Sequence, residues 1–165
     1  IAAFFMINQL IHDMAFSIYP SSFLSENEQN IIIGAIKQAE KDTSGEIRLF
    51  IESHCETADP LERAHQIFFN LQMEKTAQRN GVLVYLALKD KKFCLFGDEG
   101  IYQKTGGAEY WEQEVNVALN YFRQGKLAEG LKRVILDIGI SLATHFPYDP
   151  LTDKNELPDE IVFGK

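Results

Sequence analysis

The stretch Val82-Leu83-Val84-Tyr85-Leu86-Ala87-Leu88 is an almost unbroken apolar run, and its reading decides the fold. A half-exposed strand alternates apolar with polar residues, whereas a run that is apolar at every position belongs to a central strand covered on both faces. Upstream, Glu46 to Glu52 places Ile47, Leu49 and Ile51 on one face and Arg48, Phe50 and Glu52 on the other, a strand with one more polar face. Between the two, Asp59-Pro60-Leu61-Glu62 opens a helix with Asp59 as N-cap, Pro60 as the first helical residue and Glu62 at the third helical position. Its apolar stripe is Leu61, Ala64, Ile67, Phe68 and Leu71. Strand, helix and strand in that order predict a right-handed crossover and a parallel pair.

Further outward the punctuation continues. Ser25-Glu26-Asn27-Glu28 fits a capping box, followed by Ile32, Ala35, Ile36 and Ala39 at helical spacing, and this first helix stops near Ser44-Gly45. Downstream, Lys89-Asp90-Lys91-Lys92 is too short a link for a second crossover, so Phe93 to Phe96 is predicted as an antiparallel strand and the sheet as mixed. Trp111, Val115, Ala118, Leu119 and Phe122 mark a helix ended by Gly125; Leu127, Leu131, Val134, Ile138 and Leu142 mark another, ended before Pro147. The chain has 165 residues, which suits one domain burying roughly two-thirds of its unfolded surface. We divide it into an N-terminal extension (1–24), an α/β domain (25–146) and a tail (147–165) whose Ile161-Val162-Phe163 can add an edge strand.

Sixteen Lys+Arg against 24 Asp+Glu give a net charge of -8, which argues against a nucleic-acid backbone or an anionic membrane and favours a cation as partner. Cys55 and Cys94 have neither CxxC nor zinc-ligand spacing and read as two reduced thiols of a cytoplasmic protein. The apolar Ile1 to Leu10 has no Lys or Arg before it, and His12 and Asp13 follow it. We read it as an extension, or as translated sequence upstream of Met6 or Met14, that packs on the domain or on a second copy; an exported form with a remnant signal is the alternative. No stretch has the roughly 18 apolar residues a membrane span needs.

The chemistry-bearing feature is Gly97-Asp98-Glu99-Gly100, an acidic, glycine-flanked turn directly after a strand. Clustered carboxylates repel until an ion neutralises them, so a hard divalent cation is the first functional reading and a solvated turn the second. The antiparallel strand ends at Asp98, beside the start of the first strand at Glu46, so Asp98, Glu99 and Glu46 are candidate metal ligands. Glu109, at the start of the next helix, is a fourth candidate or a partner of the helix dipole. Oxygen donors favour calcium, magnesium or manganese over zinc. The opposite edge, with Glu52, Glu56, Asp59 and Asp90, ranks second because Asp59 already caps a helix.

Several of these stretches together resemble the TPM domain family, also called the TPM phosphatase family. They are Ala39-Glu40-Lys41-Asp42-Thr43-Ser44-Gly45-Glu46-Ile47, Asn80-Gly81-Val82-Leu83, Lys91-Lys92-Phe93 running into Gly97-Asp98-Glu99-Gly100-Ile101, and Phe122-Arg123-Gln124-Gly125-Lys126 with Glu129-Gly130-Leu131. The resemblance, spanning Ser25 to Phe146, implies a three-layer α/β/α sandwich around a mixed sheet of about four strands. It also implies a divalent metal, calcium first, at loops on one sheet edge. The family's usual Gly-Tyr-Gly-Leu-Glu is here Gly97-Asp98-Glu99-Gly100-Ile101, charge replacing the aromatic. No aspartyl nucleophile in a DxD setting, no phosphate-cradling cysteine loop and no catalytic His with arginines is present, so metal-assisted hydrolysis is the only phosphatase route open. Cys55 is followed by Glu56 with Asp59 close by, surroundings that raise a thiol's pKa rather than activate it; His54 and His65 could serve as acid or base but have no evident partner, and His145 suits a helix C-terminus. Two readings follow: a stand-alone, metal-responsive binding or regulatory module with an unidentified protein partner, or a weak metal-dependent phosphatase acting on phosphomonoesters.

Overall fold

The computed structural model describes the backbone of residues 4–6 and the whole of residues 24–165; most of the predicted extension lies outside the described residues. The central sheet is mixed and open. Strand β2 (Glu46–Glu52) runs parallel to β3 (Gly81–Ala87), with Glu46 opposite Gly81 and Glu52 opposite Ala87. Strand β4 (Lys92–Gly97) returns antiparallel along β3, with Val82 opposite Gly97. These three carry the sheet, as predicted. Two three-residue strands complete it: β1 (Phe4–Met6) lies antiparallel to β4 and β5 (Ile161–Phe163) parallel to β2, giving the order β1-β4-β3-β2-β5.

Helices cover both faces, the α/β/α arrangement expected. On one side lie α1 (Glu26–Glu40), α4 (Ala108–Phe122) and α5 (Leu127–His145), whose Ile32, Ile36, Trp111, Val115, Leu131 and Ile138 share a core with Ile47, Leu49 and Ile51 of β2. On the other side lies α2 (Pro60–Asn70), whose Ala64, Ile67 and Phe68 pack with Phe50, Leu83 and Tyr85. The alternation of β2 thus sends Ile47 and Phe50 into different cores, as a period of two requires. Both capping signals hold: Ser25 accepts from the Glu28 N–H while the Glu28 carboxylate accepts from the Ser25 N–H, and Asp59 accepts from the Leu61 N–H. Gly139 lets α1 and α5 approach closely, because a Cβ there would stand 2.6 Å from the Ala39 Cβ. Among the described residues no helix is long and apolar enough to cross a membrane.

Two features depart from simple expectation. All seven residues of β2 are buried, including Glu46, Arg48 and Glu52, so its more polar face does not meet solvent. The reason is tertiary: β5 pairs along one edge of β2, β3 along the other, and α2 covers the face. The acidic turn is also more structured than an open loop. Gly97 closes β4, Asp98 caps a short helix α3 (Glu99–Lys104), and Gly100 packs so tightly that a Cβ would stand 2.3 Å from the Gln78 carbonyl oxygen.

Candidate functional site

Glu46 and Asp98 stand at the same end of the sheet, on either side of Gly81. Glu46 pairs with Gly81 across the β2–β3 ladder, and the Asp98 N–H donates to the Gly81 carbonyl at 2.9 Å. Both are buried, at 3% and 4% relative exposure. Their electrostatic settings differ.

Asp98 is fully engaged. Arg79 grips it with two charge-assisted hydrogen bonds, Nε to Oδ2 and Nη2 to Oδ1, each 2.7 Å, and its Oδ1 also accepts from the Glu99 N–H. Bidentate pairing of this kind uses both carboxylate oxygens in fixed directions. Glu99 points along α3, accepting from Gln103, and Glu109 sits exposed in the first turn of α4. The four predicted ligands are therefore not gathered on one ion: among the described residues, no three His, Cys, Asp or Glu side chains form a ready ligand group.

Among the described residues, Glu46 forms no ion pair. Its Oε1 accepts from the Glu156 N–H at 2.7 Å, while Oε2 is buried with no hydrogen-bond partner. Burial pushes its carboxyl up to about 7, and the nearby Glu156 and Asp159 charges push the same way against the two backbone N–H groups that favour the anion. Glu40, at the C-terminal end of α1, reaches the same place, its Oε1 accepting from the Ile47 N–H at 2.6 Å. Desolvation raises the Glu40 carboxyl to about 9, with contributions from Glu46 and from a hydrogen bond shared with Asp159. Two hydrogen-bonded carboxyls need a proton between them. Together with Lys37, Ser44 and Asn155, these three acids line a pocket of about 300 Å³. Arg48, next but one along β2, is buried with Nε unpartnered; desolvation lowers its pKa, opposed by Glu160 and then by Glu40 and Glu46.

The sequence singled out Glu46 but missed the company it keeps. Glu40 lies in the Ala39–Ile47 stretch that carries the family resemblance, and Asp159 lies in the C-terminal tail, far from both acids in sequence. Arg79 was missed because nothing in a single sequence pairs it with a residue 19 positions away.

The opposite rim is a set of closed contacts. Glu52 accepts from Arg63 (2.9 and 2.7 Å) and from the Tyr85 hydroxyl (2.6 Å), and Glu56 pairs with the same Arg63. His54 does have a partner, Asp90 at 2.9 Å, which also accepts from the Cys55 N–H. Cys55 carries a free thiol, and the buried Cys94 Sγ donates to the Leu95 carbonyl at 3.6 Å. His145 ends α5, as its position suggested.

A mixed sheet in this order, with the Ser44-Gly45-Glu46 and Asn80-Gly81 turns meeting at one rim, agrees with the family's sequence profile, which matches residues 18–139 as a TPM domain. The chain belongs to the TPM domain family. No curated protein matches it. Among solved structures it is similar to the NMR structure of the BA42 protein from the psychrophilic bacterium Bizionia argentinensis. The TM-score is 0.79 and the identity 40%, over 86% of this chain and 96% of that one. The N-terminal domain of the cg2496 protein from Corynebacterium glutamicum shares the fold at TM-score 0.58 and 15% identity, over 81% of this chain and 86% of that one.

Proposed function

We propose that this TPM domain is a divalent-cation-responsive binding or regulatory module whose cation is taken at the Glu46 rim. The observation that carries the reading is the orphaned Oε2 of Glu46, a carboxylate oxygen removed from water and given no donor. An unmatched buried acceptor costs roughly 1–3 kcal/mol, more when charged, and a bound cation removes that cost. Glu40, Glu46 and Asp159 do not form a ready ligand group as they stand, but they offer oxygen donors only, which suits an ion that draws them together and favours calcium, with magnesium or manganese as alternatives, over a soft metal. In the cation's absence, protons do part of its work: the raised Glu40 and Glu46 carboxyls are what closely held acids become without a counter-charge.

The regulatory part of the proposal rests on the Glu156 N–H bond to Glu46. An ion on Glu46 acts directly on the tail segment that carries Glu156 and Asp159 and that leads into β5, so loading changes how the tail is held against the rim. A protein partner would read that surface. The experiment is a titration of metal-free protein with calcium and with magnesium, following backbone amide signals. Expected are saturable shifts at residues 40–47 and 153–160 that vanish in Glu46→Gln. Shifts centred on 98–109, or none at millimolar cation, would sink the assignment.

A further inference from the structure

A cavity of about 690 Å³ lies between α2 and α3, on the Asp98 side and away from Glu46. This is within the roughly 300–1,000 Å³ of small-molecule sites. Its walls are aromatic: Phe68 and Phe96 pack with centroids 4.9 Å apart, and Phe69 and Tyr102 line the same space. Phe69 keeps 44% of its surface exposed. Glu62 and Glu99 stand exposed at the cleft and form no salt bridge among the described residues, although Glu99 accepts from Gln103 and lies in the field of Arg79, whereas Asp98 is held by Arg79 and Asp59 caps α2.

We propose that this cleft binds a small organic cation of the quaternary-ammonium type. Aromatic faces carry negative quadrupole potential, and a desolvated cation is attracted to them. The two carboxylates add attraction of the same sign. An anion meets repulsion, since the Arg79 guanidinium is already committed to Asp98 and His65 stacks on Phe69 with centroids 4.7 Å apart. A strongly hydrated metal ion meets a mostly apolar floor, and among the described residues no three of the cleft's acids form a metal-ligand group. What remains is a weakly hydrated cation with an apolar surface.

The test is a titration with choline and, in parallel, with its uncharged tert-butyl analogue of the same shape, in the presence of a chelator. The chelator makes the result independent of any divalent cation at Glu46. Amide shifts at residues 62–69 and 96–103 are the readout. Choline is expected to bind at least about tenfold more tightly than the analogue. Phe69→Ala and Glu62→Gln, both at exposed positions of α2 that leave the core intact, should each weaken choline by about three- to tenfold. Equal affinity for the two probes, shifts mapping elsewhere, or no saturable shift below about 50 mM would overturn the proposal.

Discussion

Glu46 and Asp98 are two carboxylates buried to the same degree on either side of one glycine, and they have opposite characters. Asp98 met a guanidinium in bidentate geometry and became a structural element that caps α3 and ties it to the loop before β3. Glu46 met other acids and the backbone N–H groups of Glu156 and Leu157, and is left with an unmatched oxygen and a raised pKa. Burial therefore does not by itself mark a carboxylate as functional. The partner decides whether the buried charge stabilises the fold or stays available for a ligand.

The comparison makes opposite predictions for its two sides. The largest effect should come from Arg79→Gln, which strands Asp98 in the interior: a loss of about 3 kcal/mol in urea unfolding, part of it recovered in the double variant with Asp98→Asn. A loss below about 1 kcal/mol would mean that the pair does not offset the burial of Asp98. Glu46→Gln should go the other way. At pH 8 without divalent cation it should stabilise by about 2 kcal/mol, since it removes a charge that the folded state disfavours by roughly that much.

The pH dependence sharpens the same contrast. Glu46 and Glu40 bind protons more tightly in the folded chain than at their ordinary 4.5, rising to about 7 and about 9. The folded state holds the extra protons between those values, so their contribution to stability is full at low pH and is lost as pH rises across that window. A metal-free melting series should show this decline, and Glu46→Gln should flatten its lower part. Because a cation must displace these protons, calcium affinity should climb from pH 7 towards 9. Affinity independent of pH there would place the ion elsewhere.

Gly100→Ala should cost roughly 2 kcal/mol, since the new methyl meets backbone oxygens of Gln78 and Arg79 and pushes α3 from the loop that carries Arg79. It should leave calcium-induced amide shifts at 40–47 in place, which separates the two sides of Gly81 directly. The smallest effect is expected for the exposed Glu109→Gln, within about 0.5 kcal/mol and with an unchanged calcium response. A lost response would return the acidic start of α4 to the metal site.

Much of the fold was legible because its signals are local. The Ser25 and Asp59 caps, the periodicity of α1, α4 and α5, the apolar run of β3 and the short Lys89-Asp90-Lys91-Lys92 link each depend on neighbours within a few residues, where spacing translates directly into geometry. The short α3 was not legible, since six residues give no period to count, and Phe4–Met6 of β1 lay within a segment that reads as an extension. The site was half legible: Glu46 was found from its place at a strand start, while Arg79 across from Asp98, and Glu40 with Asp159, come together over separations that no sequence pattern encodes.

The sequence alone settled the three long strands and the four long helices, that β2 and β3 run parallel, and that the chain is an acidic TPM domain. Tertiary structure alone decided which acids carry a counter-charge. A carboxylate's pKa and availability depend on groups within a few ångströms, and those groups arrive from α1, the loop before β3 and the C-terminal tail only once the sandwich has closed.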